Sequence, residues 1–141
     1  MIKVLFAHLC EKAFLSQNGN LNLIGIFERV TSHQFPISFP QLSIVTSLEG
    51  ETGQHQMVIK IVNATSGEEL IKPITLNINI EAKQDAQQPA GPQHLRIIGD
   101  INNLNIKELG KYEVQIFLNN EKAYSVPFAA EKAQKPIPEG R

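Results

Sequence analysis

Residues 74–81 alternate four large apolar residues with four polar ones. This period-two pattern predicts a β-strand that turns one face to a core and the other to water. Apolar or alternating runs recur along the chain, between short stretches rich in Gly, Asn, Pro and Ser. The segment 74–81 belongs to a longer run that begins at residue 70. The predicted strands are residues 2–9, 21–30, 42–48, 56–63, 70–81, 95–104, 111–119 and 123–129. Residues 11–16 fit either a short strand or a helical turn.

These regularly spaced runs, without a long amphipathic helix, predict an all-β fold. We expect a two-sheet antiparallel β-sandwich, immunoglobulin-like or Greek-key, with about eight strands. Residues 1–130 would form the single domain, and residues 131–141 a flexible tail. Gly25, inside the run 21–30, indicates a bulge or a close approach of backbone. The almost uncharged segment 74–80 would be a pairing or aggregation risk if it lay at a sheet edge.

A leucine and a glycine precede Tyr112, and an alternating strand follows it. The arrangement resembles the tyrosine corner of Greek-key sandwiches, in which the phenol hydroxyl bonds to backbone at the turn between two strands. The alternative is that Tyr112 is simply a core aromatic residue. Both alternatives fit the sandwich.

Composition and charge limit the kind of protein and the partners that we expect. The chain has 141 residues, of which 42% are hydrophobic and 19% charged, and this fits one globular domain that needs no disulfide or metal. A net charge of −1 and the absence of a Lys/Arg run argue against nucleic acid and anionic membranes as partners. The single cysteine, Cys10, fits a reducing compartment. The first apolar run is short and interrupted by His8, unlike a signal peptide, so we expect a cytoplasmic protein.

His8 and Cys10 are two residues apart on a predicted strand, so their side chains could share a face. Zinc favours nitrogen and sulfur ligands, and His33, His55 or His94 could complete such a site. The chain lacks paired-ligand spacing, however, and these histidines lie in separate segments. We therefore favour a buried cysteine and a hydrogen-bonded histidine over a metal site.

A nucleophilic Cys10 would need a nearby histidine and an orienting carboxylate. His8 and Glu11 supply these residue types, but Glu11 points to the opposite face of a regular strand. We therefore expect no enzyme, and we assign no catalytic, cofactor-binding or metal-binding residue.

Three further features have simple structural explanations. Glu49 and Glu51 flank one turn and Glu68 begins an acidic pair after another, but neither turn has the dense spacing of a calcium loop. Asn63 begins an N-glycosylation sequon, which we take as a chance match in a cytoplasmic protein. The aromatic rings of residues 35 and 39, each followed by proline, could offer a platform for sugars, although we favour a role in plugging the open end of the core.

The early Ala13 and the run from Gly19 through Leu21 and Gly25 to Phe27 resemble an uncharacterised family of small bacterial proteins. Its landmark is Gly-x-Leu-x-x-x-Gly-x-Phe followed by an acidic residue. Further similar landmarks extend over most of the chain: Phe35-Pro36, the turn at Gly67, Gly110-Lys111-Tyr112 and Pro127-Phe128. This chain has Glu28 where the family would lead us to expect Asp, and Asn20 where Lys is common. The resemblance implies a β-sandwich and carries over no functional residue.

We expect a non-enzymatic cytoplasmic β-sandwich that binds a protein partner or self-assembles, since sandwiches have edge strands that can pair with another chain. We expect no nucleic acid, membrane or cofactor among its partners. The alternative is a module that binds a small molecule or carbohydrate through end loops 31–40, 49–56 and 83–93.

Overall fold

A computed structural model describes residues 1–81 and 92–133, and within these ranges the chain is all-β. The predicted all-β class is thereby confirmed, with nine strands where we expected about eight. None of the described residues forms a helix that is long and apolar enough to cross a membrane. The nine strands are β1 (Lys3–Leu15), β2 (Leu21–Ile26), β3 (Arg29–Ser32), β4 (Ile37–Gly50), β5 (Gly53–Asn63), β6 (Ile74–Ile80), β7 (Gln93–Ile106), β8 (Gly110–Leu118) and β9 (Glu121–Lys132).

The strands form two sheets. Sheet A has the order β2-β1-β4-β7 and is antiparallel throughout, whereas sheet B has the order β3-β9-β8-β5-β6. In sheet B, β3 runs parallel to β9, with Arg29 opposite Ala129. The expectation that both sheets are antiparallel is therefore wrong for sheet B, which is mixed. The chain crosses from the edge of sheet A to the edge of sheet B between β2 and β3, and β3 enters parallel to β9.

Several boundaries differ from the sequence patterns. The predicted strand at 21–30 is divided into β2 and β3, which belong to different sheets. Residues 11–15 continue β1, so the choice between strand and helical turn is settled as strand. β9 continues to Lys132, past the expected domain end at residue 130. The rest of the expected tail, from residue 134, and most of the expected loop 83–93 lie outside the described residues.

The core lies between the inner faces of the two sheets. Alternate residues of β5 and β8 point into it, which is the period-two pattern that the sequence showed. Phe35 and Phe39 pack against this core, and the Phe39 ring stacks on Phe27 with 5.5 Å between ring centroids. Phe35 and Phe39 are therefore partly buried side chains that extend the core. The largest fully buried side chains include Leu9, Ile44, Leu48, Met57, Ile61, Leu104, Ile106 and Ile116.

Candidate interaction surface

The hairpin formed by β1 and β2 continues beyond the sandwich. β1 pairs with β4 only as far as Cys10, which lies opposite Ser43. Its pairing with β2 begins at the same residue and continues until Leu15 lies opposite Leu21. Residues 11–26 therefore form an arm, here called the hairpin arm, that is joined to sheet A through one end of β1.

The hairpin arm folds back over the outer face of sheet A. Arg96 Nη1, on β7, donates a hydrogen bond to the carbonyl oxygen of Gly19 at the tip of the arm, at 3.3 Å. Arg96 lies opposite Ser47, and Ser47 lies opposite Phe6. A straight hairpin, rising about 3.3 Å per residue, would carry Gly19 roughly 40 Å from Phe6 along the strand direction. An arginine side chain cannot reach that far, so the arm must bend back.

Burial on the outer face of sheet A agrees with this bend. Ser43, Val45 and Ser47 alternate with the core-facing residues of β4, yet their exposures are 1%, 0% and 5%. The Ser43 hydroxyl is satisfied there, because it donates to Asp100 Oδ1 at 2.6 Å. Since both faces of β4 are buried, this strand lies in the middle of three layers along part of its length.

Gly25 lies near the base of the arm, and its φ of +70° lies in the left-handed region. A Cβ added to Gly25 would lie 2.6 Å from Glu11 Oε2, because the Glu11 side chain crosses this position. Glycine is the residue that adopts such a φ without a steric penalty. The sequence predicted a bulge or a close approach of backbone at Gly25, but the register of β1 with β2 passes this position without a shift, and the group that approaches Gly25 is the Glu11 side chain.

The hairpin arm presents apolar side chains to solvent. Half of the eight large hydrophobic residues that are exposed in the described ranges belong to the arm. Their exposures are 40% for Phe14, 54% for Leu15, 50% for Ile24 and 55% for Ile26. The register places Phe14, Ile24 and Ile26 on one face of the arm and Leu15 on the other. Neighbouring exposed apolar side chains mark an interaction site more often than scattered apolar residues do.

A cleft of about 500 Å³ adjoins this apolar face where the chain crosses from sheet A to sheet B. Ile26 lines both the cleft and the hairpin arm, so the two surfaces are continuous. The other lining residues are mainly apolar, and four charged ones stand among them: Glu28, Arg29, Lys111 and Glu113. The cleft is large enough to receive an apolar side chain from a partner.

The residues that we considered for metal binding or catalysis, Cys10 and His8, have other surroundings than a metal or catalytic site would give them. Cys10 is fully buried, and its Sγ lies 3.8 Å from the Ser43 carbonyl oxygen. Burial raises the pKa of this thiol and favours the neutral form, which is a weak nucleophile. The His8 ring lies against Phe6, with 5.5 Å between ring centroids. Within residues 1–81 and 92–133, no three His, Cys, Asp or Glu side chains are grouped as metal ligands.

The Glu49 carboxylate is bonded to two other side chains, those of Lys3 and His94. Its carboxylate lies 3.1 Å from Lys3 Nζ and 3.0 Å from His94 Nε2. Hydrogen bonds from Lys3, and then from His94, hold the pKa of Glu49 below its ordinary value. Because these residues belong to β1, β4 and β7, the cluster ties together three strands of sheet A. The neighbouring Glu51 forms an ion pair with the N-terminal amine at 3.0 Å.

The expected ligand site made of end loops is not assembled. Much of segment 31–40 belongs to β3 and β4, and most of segment 49–56 belongs to β4 and β5. The two segments adjoin opposite ends of β4, where Ile37 pairs with Ile106 and Gly50 pairs with Gln93. They are therefore separated by a whole strand and cannot line one pocket. Most of the third loop, 83–93, lies outside the described residues.

Sequence reasoning missed the hairpin arm, although a signal was present. Residues 13–15 and 21–24 are apolar at positions that face both ways on a strand, apart from Asn22, and a Gly-Asn turn lies between them. A two-stranded hairpin with apolar residues on both faces needs cover on both sides. In this structure, sheet A covers one face of the hairpin arm.

Residues 5–131 match the profile of a family of unknown function, DUF6941. A search of curated proteins found no match. Among solved structures, the chain is similar to the Pseudomonas fluorescens alkylpurine DNA glycosylase AlkC bound to DNA containing an abasic site analog, at 12% identity and a TM-score of 0.46. The similarity covers 92% of this chain but 30% of that one, so the chain spans less than a third of that enzyme.

Proposed function

The chain belongs to DUF6941, a family of unknown function, and from that premise we propose that it is a non-enzymatic protein-interaction module. The hairpin arm binds an apolar surface on a partner protein. The observation that carries this proposal is the group of three exposed apolar side chains on one face of the arm, Phe14, Ile24 and Ile26. Their burial against a partner is favourable by about 25 cal/mol per Å² of apolar surface removed from water.

The surroundings of the patch support a protein as the partner. Protein interfaces combine an apolar centre with a polar rim, and their strongest contacts are large side chains that fill pockets. Glu11 and Lys12 are exposed on the arm itself, while Glu28 and Arg29 line the adjoining cleft. A large apolar side chain of the partner enters the cleft beside Ile26, and the charged groups form contacts at the rim.

A cytoplasmic location is part of the proposal. Cys10 is the only cysteine, and it is a buried free thiol. Such a thiol is compatible with a reducing compartment.

An immunoglobulin-like topology is also part of the proposal, and strand order supports it. In immunoglobulin domains the C, F and G strands share one sheet, and the B and E strands share the other. The order β9-β8-β5 corresponds to G-F-C, and the adjacent strands β4 and β7 correspond to B and E. In this correspondence the hairpin arm is an addition in front of strand B, which leaves the sandwich itself intact.

The test replaces Ile24 and Ile26 together by threonine, which keeps the β-branched shape that suits a strand. Affinity capture with the wild-type chain identifies a partner by mass spectrometry, and titration calorimetry with the purified partner then measures the dissociation constant. We expect the double variant to weaken binding by about a hundredfold, because two apolar anchors are lost. The matched control is Leu109→Thr, since Leu109 is also 50% exposed but lies away from the arm.

The control variant should bind like the wild type. The proposal fails if the double variant binds the partner as tightly as the wild type does, or if Leu109→Thr weakens binding equally. Circular dichroism and a thermal melt of each variant establish that a loss of binding is not a loss of folding.

A further inference from the structure

Among the strands of residues 1–81 and 92–133, β6 lies at the edge of sheet B, beyond β5. Its seven residues, Ile74–Ile80, contain no charge and no proline. In antiparallel pairing, half of the N–H and C=O groups of an edge strand point away from the sheet and can accept another strand. From the sequence we noted that segment 74–80 would be a pairing risk if it lay at a sheet edge. In the structure this segment is β6, and it does lie at an edge.

The other edges of the described sheets carry features that discourage pairing. β7 includes the charged Arg96 and Asp100, and Asn103 interrupts it with a φ of +57°. β3 has four residues, and β2 includes Gly25 with its left-handed φ of +70°. Proteins commonly protect edges in these ways, with charges, irregularities or short strands. β6 has none of these protections along its length.

We propose that β6 pairs with the β6 of a second copy of this chain, antiparallel and about a two-fold axis at Asn77. Asn77 is the midpoint of the strand, so this register pairs all seven residues. It sets Asn77 opposite Asn77 of the second copy and Leu76 opposite Ile78 of the second copy. Because side chains alternate between faces, the register joins apolar to apolar on the inner face and polar to polar on the outer face.

The inner face of β6 has apolar surface left to bury. Ile78 and Ile80 are buried, at 7% and 5%, whereas Ile74 and Leu76 are only half-buried although they pack against the core. The second copy would cover both of these side chains. On the outer face, Asn77 and Asn79 lie opposite Gln56 and Gln54 of β5. In the dimer, the side-chain amides of the two copies would form one continuous row across the interface.

The charges at the two ends of β6 are complementary across the same axis. Lys72 precedes the strand and Glu81 follows it, and both side chains are exposed. In the antiparallel dimer, Lys72 of one copy comes close to Glu81 of the second copy, and the pair occurs twice. Opposite charges in matching positions favour this orientation of the strands over the parallel one.

This dimer surface does not depend on the proposed function of the hairpin arm. β6 and β3 are opposite edges of sheet B, and β3 follows directly from the arm. A single pair of edge strands buries less surface than a typical stable interface, so we expect a dissociation constant in the micromolar range, about 1–100 μM.

Sedimentation velocity from about 1 μM to about 1 mM measures the dimer, over the range where such constants are resolved. We expect a monomer–dimer equilibrium for the wild type. Asn77→Lys and Asn77→Asp, each alone, set like charges face to face on the axis and should raise the dissociation constant about tenfold or more. An equimolar mixture of the two variants should restore a dimer, because Lys then faces Asp.

Gln54→Lys is the matched control, since Gln54 is on the same face of sheet B but one strand inward. It should dimerise like the wild type. Hydrogen exchange gives a second measure, because amides of residues 74–80 should gain protection as the concentration rises. The proposal is overturned if the wild type remains monomeric at the highest concentration, or if a dimer forms that is indifferent to the two Asn77 variants. Loss of the dimer through Ile24→Thr with Ile26→Thr would instead assign self-association to the hairpin arm.

Discussion

The Tyr112 hydroxyl donates a hydrogen bond to the backbone carbonyl oxygen of Glu108, with 2.7 Å between donor and acceptor. This is the geometry of the tyrosine corner that the Leu-Gly-Lys-Tyr pattern predicted. Tyr112 is also a core aromatic residue, 3% exposed and stacked on Phe128 with 5.5 Å between ring centroids. Burial raises the pKa of Tyr112, which favours its neutral form as the hydrogen-bond donor. The predicted corner is therefore present, and the ring of the same residue also packs in the core.

Replacing Tyr112 by phenylalanine should lower the free energy of unfolding by about 1 kcal/mol, the net contribution of one hydrogen bond. The ring and its stacking on Phe128 are kept, so the change isolates the hydroxyl. Urea unfolding measures the effect. Tyr124→Phe is the control, since the Tyr124 side chain is 36% exposed, and its stability should change by less than about 0.5 kcal/mol. Equal losses in both variants would mean that the corner contributes nothing.

Thr46→Val should raise the free energy of unfolding by about 1 kcal/mol. In the described part of the chain, the Thr46 hydroxyl is buried and has no hydrogen-bond partner. An unsatisfied buried polar group costs about 1–3 kcal/mol, and part of this is recovered when a methyl group replaces it. Urea unfolding gives the value.

Ser43, on the same strand β4, has a buried hydroxyl that does have a hydrogen-bond partner. Ser43 is equally buried, but its hydroxyl is bonded to Asp100. Ser43→Ala should therefore destabilise by about 1–3 kcal/mol, because a charged acceptor loses its donor. Changes of the same sign in Thr46→Val and Ser43→Ala would show that hydrogen bonding does not control these sites.

Gly25→Ala should destabilise the hairpin arm by about 1 kcal/mol, because an L-residue at a φ of +70° is strained. The added Cβ also meets the Glu11 side chain, which is exposed and can move away. Hydrogen exchange of residues 11–26 should speed up more than exchange in β8. A second variant, Glu11→Ala with Gly25→Ala, should recover only the steric part of the loss. Full recovery would assign the whole effect to the contact and none to backbone strain.

Stability should fall as the pH is lowered, in part because of Glu49. Its pKa in the folded chain lies below the ordinary value of 4.5, owing first to Lys3 and then to His94. The stabilisation is therefore fully present above pH 4.5 and is lost as the pH falls through the folded-state pKa. Urea midpoints of the wild type and Glu49→Gln should differ at neutral pH and converge in acid. A difference that persists unchanged in acid would contradict this origin.

The hydrophobic pattern was sufficient for strands that carry the core on one face. In β8 every second residue from Tyr112 to Leu118 is apolar and buried, and in β5 the same holds from Met57 to Ile61. It was less informative for residues 21–30, where apolar side chains occur on both faces. No local pattern can say there that the chain leaves sheet A after Ile26 and enters sheet B at Arg29, since that depends on which strands are neighbours.

The sequence by itself determined the all-β class, most of the strand positions and the corner at Tyr112, because each depends on alternation or on backbone preferences within a few residues. Only the tertiary structure decided that the hairpin arm covers sheet A and leaves Ile24 and Ile26 in solvent, and that β6 is an edge. These features depend on contacts between residues far apart in the chain, such as Arg96 with Gly19. Apolar residues report that burial is favourable, but the surface that buries them is set by the packing of the whole chain.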